Sequence, residues 1–194
     1  MDRLDIDAIT TYTPTRVTDA TYDAAVLIPV VPRANGYALV FTKRSNHLEE
    51  HPGEMSFPGG GVEPSDGDRI TTAIREANEE IGLDPTGVSV VGRLDDIVTT
   101  TGYAVTPVVA NVPDHPYAPN DGEVAEVAVL PLERFLDEET YRSEYRNHPD
   151  YGPIQVHYFD VDGYTVWGAT ARILVQFLEL TTPFRPPSAG ERGV

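Results

Sequence analysis

Three glutamates, Glu76, Glu79 and Glu80, follow Arg75 closely and lie downstream of a glycine run, Gly59-Gly60-Gly61. On a helix, residues four apart stand above one another and residues three apart nearly so, which sets Glu76 beside Glu80 with Glu79 flanking them. Carboxylates this close disfavour each other's ionisation, so the cluster weakens a helix unless a cation occupies it. Hard oxygen donors suit Mg²⁺ or Mn²⁺, and glycine permits close approach of backbone to phosphate. The combination points to divalent-metal phosphate chemistry. The competing reading is a solvated helix face with ordinary local charge pairs, and the glycine run at its fixed offset weighs against it.

The surrounding residues say what must position these acids. Ile70, Ala73, Ile74, Ala77 and Ile81 recur at the three-and-four spacing of a buried helical stripe, which predicts a helix over about 68–81 with the acids beside the stripe, at the rim of a core. Ser65, Asp66 and Asp68 are candidate N-caps, and Gly82 followed by Asp84 and Pro85 is a stop signal. Upstream, residues 24–31 and 37–42 are β-rich and joined through Asn35-Gly36, a strong turn dipeptide, which predicts an antiparallel pair. Residues 46–65 read as a long functional loop without an element of its own. Residues 88–94, 105–112 and 124–130 read as further strands, Pro131 opens a short helix through Leu136, residues 137–152 form a polar insert without a clear period, and 154–160 alternate as a strand. A last helix over about 168–180 carries Ala171, Leu174, Val175 and Leu178 on its apolar face. Mixed strands with two principal helices predict an α/β layered domain.

The stretch Arg75-Glu76-Ala77-Asn78-Glu79-Glu80-Ile81-Gly82-Leu83, with Gly61 at the head of the pattern, resembles the signature box of Nudix hydrolases. Gly67 stands where the first glutamate of that box belongs, with Asp66 and Asp68 as acidic neighbours. The resemblance implies a Nudix-type α/β/α sandwich with a mixed β-sheet. It implies Glu76, Glu79 and Glu80 as Mg²⁺ or Mn²⁺ ligands, Gly60 as a carbonyl donor, and Arg75 as the residue that orients the acids. Phe41-Thr42-Lys43-Arg44-Ser45, Leu48, His51-Pro52-Gly53 and Ser56-Phe57-Pro58-Gly59-Gly60 are further similar to the upstream signature of the coenzyme A pyrophosphatases within that family. So are Thr101 to Val109, Glu123 to Glu126 with Pro131-Leu132, and Trp167 to Leu174. One signature position departs, an internal arginine that is Glu49 here.

This narrower resemblance implies cleavage of the pyrophosphate of coenzyme A or its derivatives to 4′-phosphopantetheine and adenosine 3′,5′-bisphosphate. Lys43, Arg44 and Gly59 to Gly61 would meet the substrate. A carboxylate must accept the proton of the attacking water, and Glu76, Glu123 and Glu126 are the candidates. The alternatives are a Nudix hydrolase of another nucleoside diphosphate derivative and a catalytically silent binding module. His47 and His51 read as loop histidines, Ser56 lacks the Gly-any-Ser-any-Gly elbow of a serine hydrolase, and Trp167 reads as core.

At 194 residues the chain suits one domain, divided as an extension over 1–20, the Nudix domain over 21–180 and a mobile tail over 181–194. Absence of cysteine excludes disulfides and thiolate catalysis. No apolar run is long enough to span a bilayer and the first residues are acidic rather than a signal peptide, so a cytoplasmic protein is expected. The formal charge is −17 with a single lysine. Such a surface repels nucleic acid and anionic membranes and reads as adaptation to a saline cytoplasm, as in a halophilic archaeon, where salt screens the self-repulsion. The expected partner is a small pyrophosphate substrate. Oligomeric state is not legible.

Overall fold

The computed structural model describes residues 4–47, 52–120, 122–148 and 152–186. In chain order these form α1 (Asp7–Thr11), β1 (Tyr22–Arg33), β2 (Gly36–Arg44), β3 (Met55–Ser56), β4 (Gly59–Gly61), α2 (Arg69–Ile81), β5 (Ser89–Arg93), β6 (Ile97–Val98), β7 (Tyr103–Asn111), β8 (Val124–Pro131), β9 (Tyr141–His148), β10 (Gly152–Val161), β11 (Tyr164–Trp167) and α3 (Gly168–Thr181), with 3-10 turns at Pro85–Gly87 and Leu132–Leu136.

The large sheet runs β3-β2-β1-β7-β5, with β8 beside β2, β4 beside β1 and β6 beside β7. It is mixed: β1 pairs parallel with β7 from Tyr22↔Tyr103 to Val30↔Asn111 and antiparallel with β2. A second sheet, β11-β10-β9, is antiparallel. Alternation along the central strands feeds two cores. Ala25, Leu27 and Val31 of β1 with Ala38 and Val40 of β2 face Ala73, Ala77 and Ile81 of α2. Ile28, Val30, Leu39 and Phe41 face the opposite layer, with Leu174, Phe177 and Leu178 of α3 and Phe159 of β10. Period two in the strands and 3.6 in the helices thus builds an α/β/α sandwich.

The β1–β2 hairpin forms as expected, but the turn residues are Ala34 and Asn35, and Gly36 opens β2 at φ +136°. The predicted structureless stretch 46–65 contains β3 and β4, because the glycine run pairs with Ala24, Ala25 and Val26. The polar insert contains β9, whose residues pair from Tyr141↔Phe159 to His148↔Gly152. Leu4 and Ile9, within the expected extension, are buried in the core that holds α3. Phe184 packs on Tyr141 and Phe159, with ring centroids 5.5 and 5.9 Å away. Residues 187–194 of the expected tail lie outside the described residues. Among the described residues no helix is long and apolar enough to cross a membrane.

Candidate functional site

The acidic helix begins where capping chemistry allows. Asp68 is the N-cap, its carboxylate accepting from Thr71 N–H at 2.8 Å, a contact of roughly 1 kcal/mol in such settings. Gly82 closes the helix in the left-handed conformation at φ 66°. α2 lies across the sheet so that its acidic face meets β4, the glycine strand.

That meeting is tight. A Cβ on Gly59 would fall 2.4 Å from the Ala25 carbonyl oxygen, and one on Gly60 would fall 2.5 Å from Glu76 Oε1. The absent side chains are what let β4 pair with β1 and let the Glu76 carboxylate sit against the turn. Gly61 has no such neighbour. Glu80 is buried at 8% exposure, not at the rim as its spacing predicts, and its Oε2 accepts the Gly59 N–H at 3.1 Å. Burial and the adjacent Glu79 and Glu63 charges push the Glu76 carboxyl above the usual range, against the opposing pull of Arg75. Glu79 is the exposed member, its side chain 54% accessible.

Arg75 gathers the cluster. Its Nη1 lies 2.9 Å from Glu76 Oε1 and donates to Glu79 Oε2 at 3.1 Å, and its Nη2 donates to the Gly61 carbonyl at 3.0 Å. The other edge of the guanidinium donates from Nε and Nη2 to Asp66 at 3.0 and 3.1 Å. Those bonds, with the Glu63 N–H and the Thr72 hydroxyl, hold the Asp66 carboxyl far below the usual range. In the sequence Asp66 is a candidate cap and an acidic neighbour of Gly67, with no sign that it binds Arg75. Its nearness to the vacant box position was the available signal.

The oxygen donors suit a hard cation, and the half-buried, only partly neutralised Glu76 fits one at this place. Among the described residues no three acidic or imidazole side chains converge on one point. Mg²⁺ usually retains several waters and shares its coordination with substrate phosphates, so it does not require a complete cage of side chains.

The remaining candidates lie together elsewhere, at the ends of β2 and β8. Lys43 stands opposite Glu126, with Nζ 3.7 Å from its carboxylate, and Arg44 lies 4.0 Å from Glu123. Glu126 also accepts a hydrogen bond from the Tyr164 hydroxyl. Arg44 Nε is buried without a hydrogen-bond partner among the described residues. Lys43 borders a cleft of about 420 Å³ lined also by Met55, Glu54, Tyr164 and Trp167. Trp167 is thus at a cavity wall, stacked on Tyr158 with ring planes 6° apart, rather than in the core. From Met55 the chain runs directly into Gly59, so the cleft and the acidic site are joined by one short segment. Leu48, Glu49 and His51 lie outside the described residues.

The fold is an α/β sandwich with an acidic helix face clasped to a glycine strand, and comparison with known proteins places it. Residues 21–151 match the NUDIX domain. The uncharacterized Nudix hydrolase NudL of Escherichia coli K12 is 40% identical over 153 residues, covering 78% of each chain, and NudL of Shigella boydii serotype 18 matches to the same extent. Among solved structures, a MutT/nudix family protein from Enterococcus faecalis superposes with a TM-score of 0.52 at 14% identity, over 87% of this chain and 64% of that one. The chain belongs to the Nudix family.

Proposed function

We propose that the protein is a divalent-metal-dependent pyrophosphohydrolase acting on coenzyme A or its derivatives, releasing 4′-phosphopantetheine and adenosine 3′,5′-bisphosphate. The observation that carries the hydrolytic part is the clasp of α2 on β4: Glu80 on the Gly59 N–H, Glu76 in the space left by Gly60, and Arg75 ordering Glu76 and Glu79. Glu76, Glu79 and Glu80 with the Gly60 carbonyl would hold Mg²⁺ or Mn²⁺. Such an ion neutralises pyrophosphate charge and makes water a better nucleophile near neutral pH.

The chain's own residues do the rest. Arg75 prevents the repelling carboxylates from splaying. Lys43 borders the cleft and Arg44 follows it at the end of β2; both are cations suited to an anionic group of the substrate. Of the three candidate proton acceptors, Glu76 belongs to the α2 cluster that would hold the ion, whereas Glu126 of β8 and Glu123 just before it lie beside Lys43 and Arg44, apart from that cluster. This arrangement favours Glu76.

The coenzyme A assignment is supported by the signature-like stretch from Phe41 to Gly60, and the cleft is large enough for a sizeable organic group. Glu49 in place of the signature arginine favours a second reading, another nucleoside diphosphate derivative. Incubation with coenzyme A, nucleotide sugars and dinucleoside polyphosphates separates the two. Coenzyme A is expected to be cleaved at its pyrophosphate, and Lys43→Ala to raise its KM by about tenfold, the scale of one charge-assisted contact. Efficient turnover of the other compounds with coenzyme A untouched contradicts the substrate assignment.

The charge of −17 supports placement in a saline cytoplasm. Screening shortens from about 10 Å at 0.1 M to about 3 Å at 1 M salt, which relieves both surface self-repulsion and repulsion of a polyanionic substrate. The melting temperature and the initial rate at fixed free Mg²⁺ are therefore expected to rise with KCl toward the molar range. A steady decline of both from dilute buffer upward contradicts it.

A further inference from the structure

We infer that Asp66 is a positioning residue of the hydrolytic site, acting through Arg75 in place of the glutamate that the Nudix pattern carries where this chain has Gly67; this rests on the reading of the α2 acids as that site. Of the two acidic neighbours of Gly67, Asp68 is already used, capping α2 through the Thr71 N–H and hydroxyl. Asp66 instead meets the guanidinium edge-on, its two oxygens taking Nε at 3.0 Å and Nη2 at 3.1 Å. Such paired bonds fix the plane of the guanidinium as well as its position. Asp66 cannot turn away, because it also accepts from the Glu63 N–H at 3.0 Å and the Thr72 hydroxyl at 2.9 Å, and its side chain is only 2% exposed. With that edge locked, Nη1 is delivered to Glu76 and Glu79 on the far side. A Cβ at position 67 would meet nothing within 4 Å, so the vacant box position opens on empty space while its neighbour is buried against the arginine.

A merely structural Asp66 would affect stability alone, so the test reads metal binding without substrate. Mn²⁺ affinity, the melting temperature, kcat and KM are measured for the wild type, Asp66→Asn, Arg75→Gln, the double variant, and Asp68→Asn as the neighbouring-cap control. Asp66→Asn is expected to weaken Mn²⁺ binding by about ten- to a hundredfold, as loss of a residue supporting metal ligands does. It should lower kcat comparably while KM changes little, and Asp68→Asn should move neither. In the Arg75→Gln background, Asp66→Asn should add almost nothing, since residues acting through one another are not additive. Unchanged Mn²⁺ affinity in folded Asp66→Asn, or fully additive losses in the double variant, overturns the proposal alone. A wild type that binds no Mn²⁺ overturns the underlying reading and the proposal with it. If Asp66→Asn does not fold, Asp66→Glu replaces it, and that variant should recover Mn²⁺ binding relative to Arg75→Gln; failure to do so counts against the proposal.

Discussion

Glu80→Gln is expected to lower kcat by more than about a hundredfold, the scale seen when one charge-stabilising group is removed from an active site, while the protein remains folded. The structure gives the reason for both halves. The Glu80 carboxylate is buried and one oxygen accepts the Gly59 N–H at 3.1 Å. Glutamine keeps an oxygen for that bond, so α2 stays clasped to β4, but it removes the charge proposed to meet the cation. Thermal melts and Mn²⁺ titrations must accompany the rates. Full activity with unchanged metal dependence in a folded variant contradicts the assignment. Glu79→Gln should show a smaller loss, because its side chain is half exposed and bound to Arg75 as an ordinary i,i+4 pair.

Three adjacent glycines give the second large effect, and each should respond differently to alanine. In Gly60→Ala the new methyl would stand 2.5 Å from Glu76 Oε1. The end of a flexible side chain can give way, so the fold should survive with the carboxylate displaced, and activity should fall by about ten- to a hundredfold. In Gly59→Ala the obstacle is the Ala25 carbonyl oxygen at 2.4 Å, which belongs to the central strand and cannot yield, so the loss should appear as a lowered melting temperature. Gly61→Ala meets nothing within 4 Å, so it should melt like the wild type and lose less activity than Gly60→Ala. Rates and melts on the three variants check the pattern. Equal behaviour of Gly60→Ala and Gly61→Ala contradicts the role given to the Glu76 pocket.

What was legible beforehand was periodic. The stripe Ile70, Ala73, Ile74, Ala77, Ile81 and the Gly82 stop mark α2 from local chemistry, and the structure places that helix at Arg69–Ile81, burying Ala73, Ala77 and Ile81 and selecting Asp68 from the three cap candidates Ser65, Asp66 and Asp68. The face of Glu80 was not legible, since helical angle alone sets it beside the stripe. Its burial follows from β4 folding over the helix, a contact between segments about twenty residues apart. β4 itself escaped notice because three glycines have no strand propensity; pairing with Ala24 to Val26 makes it a strand. β9 was hidden by its charges, although tyrosines at 141 and 145 alternate with arginines at 142 and 146. Its order comes from β10 and from Arg142 lying 3.9 Å over the Tyr158 ring. For the Asp66–Arg75 pair the sequence shows only that Asp66 adjoins the vacant box position at Gly67; the contact itself depends on the path of the turn before α2.

The central claim is that the α2 carboxylates, set against the glycine strand, support metal-dependent cleavage of a pyrophosphate. The most direct test is product analysis by mass spectrometry of coenzyme A and the other pyrophosphate compounds incubated with the wild-type protein, with Mg²⁺ or Mn²⁺ and, in parallel, with excess chelator. The account predicts phosphomonoester products from scission of the P–O–P bond only when the divalent ion is present, and their loss in Glu80→Gln. No cleavage of any compound with either ion, or equal cleavage under chelation, would contradict it.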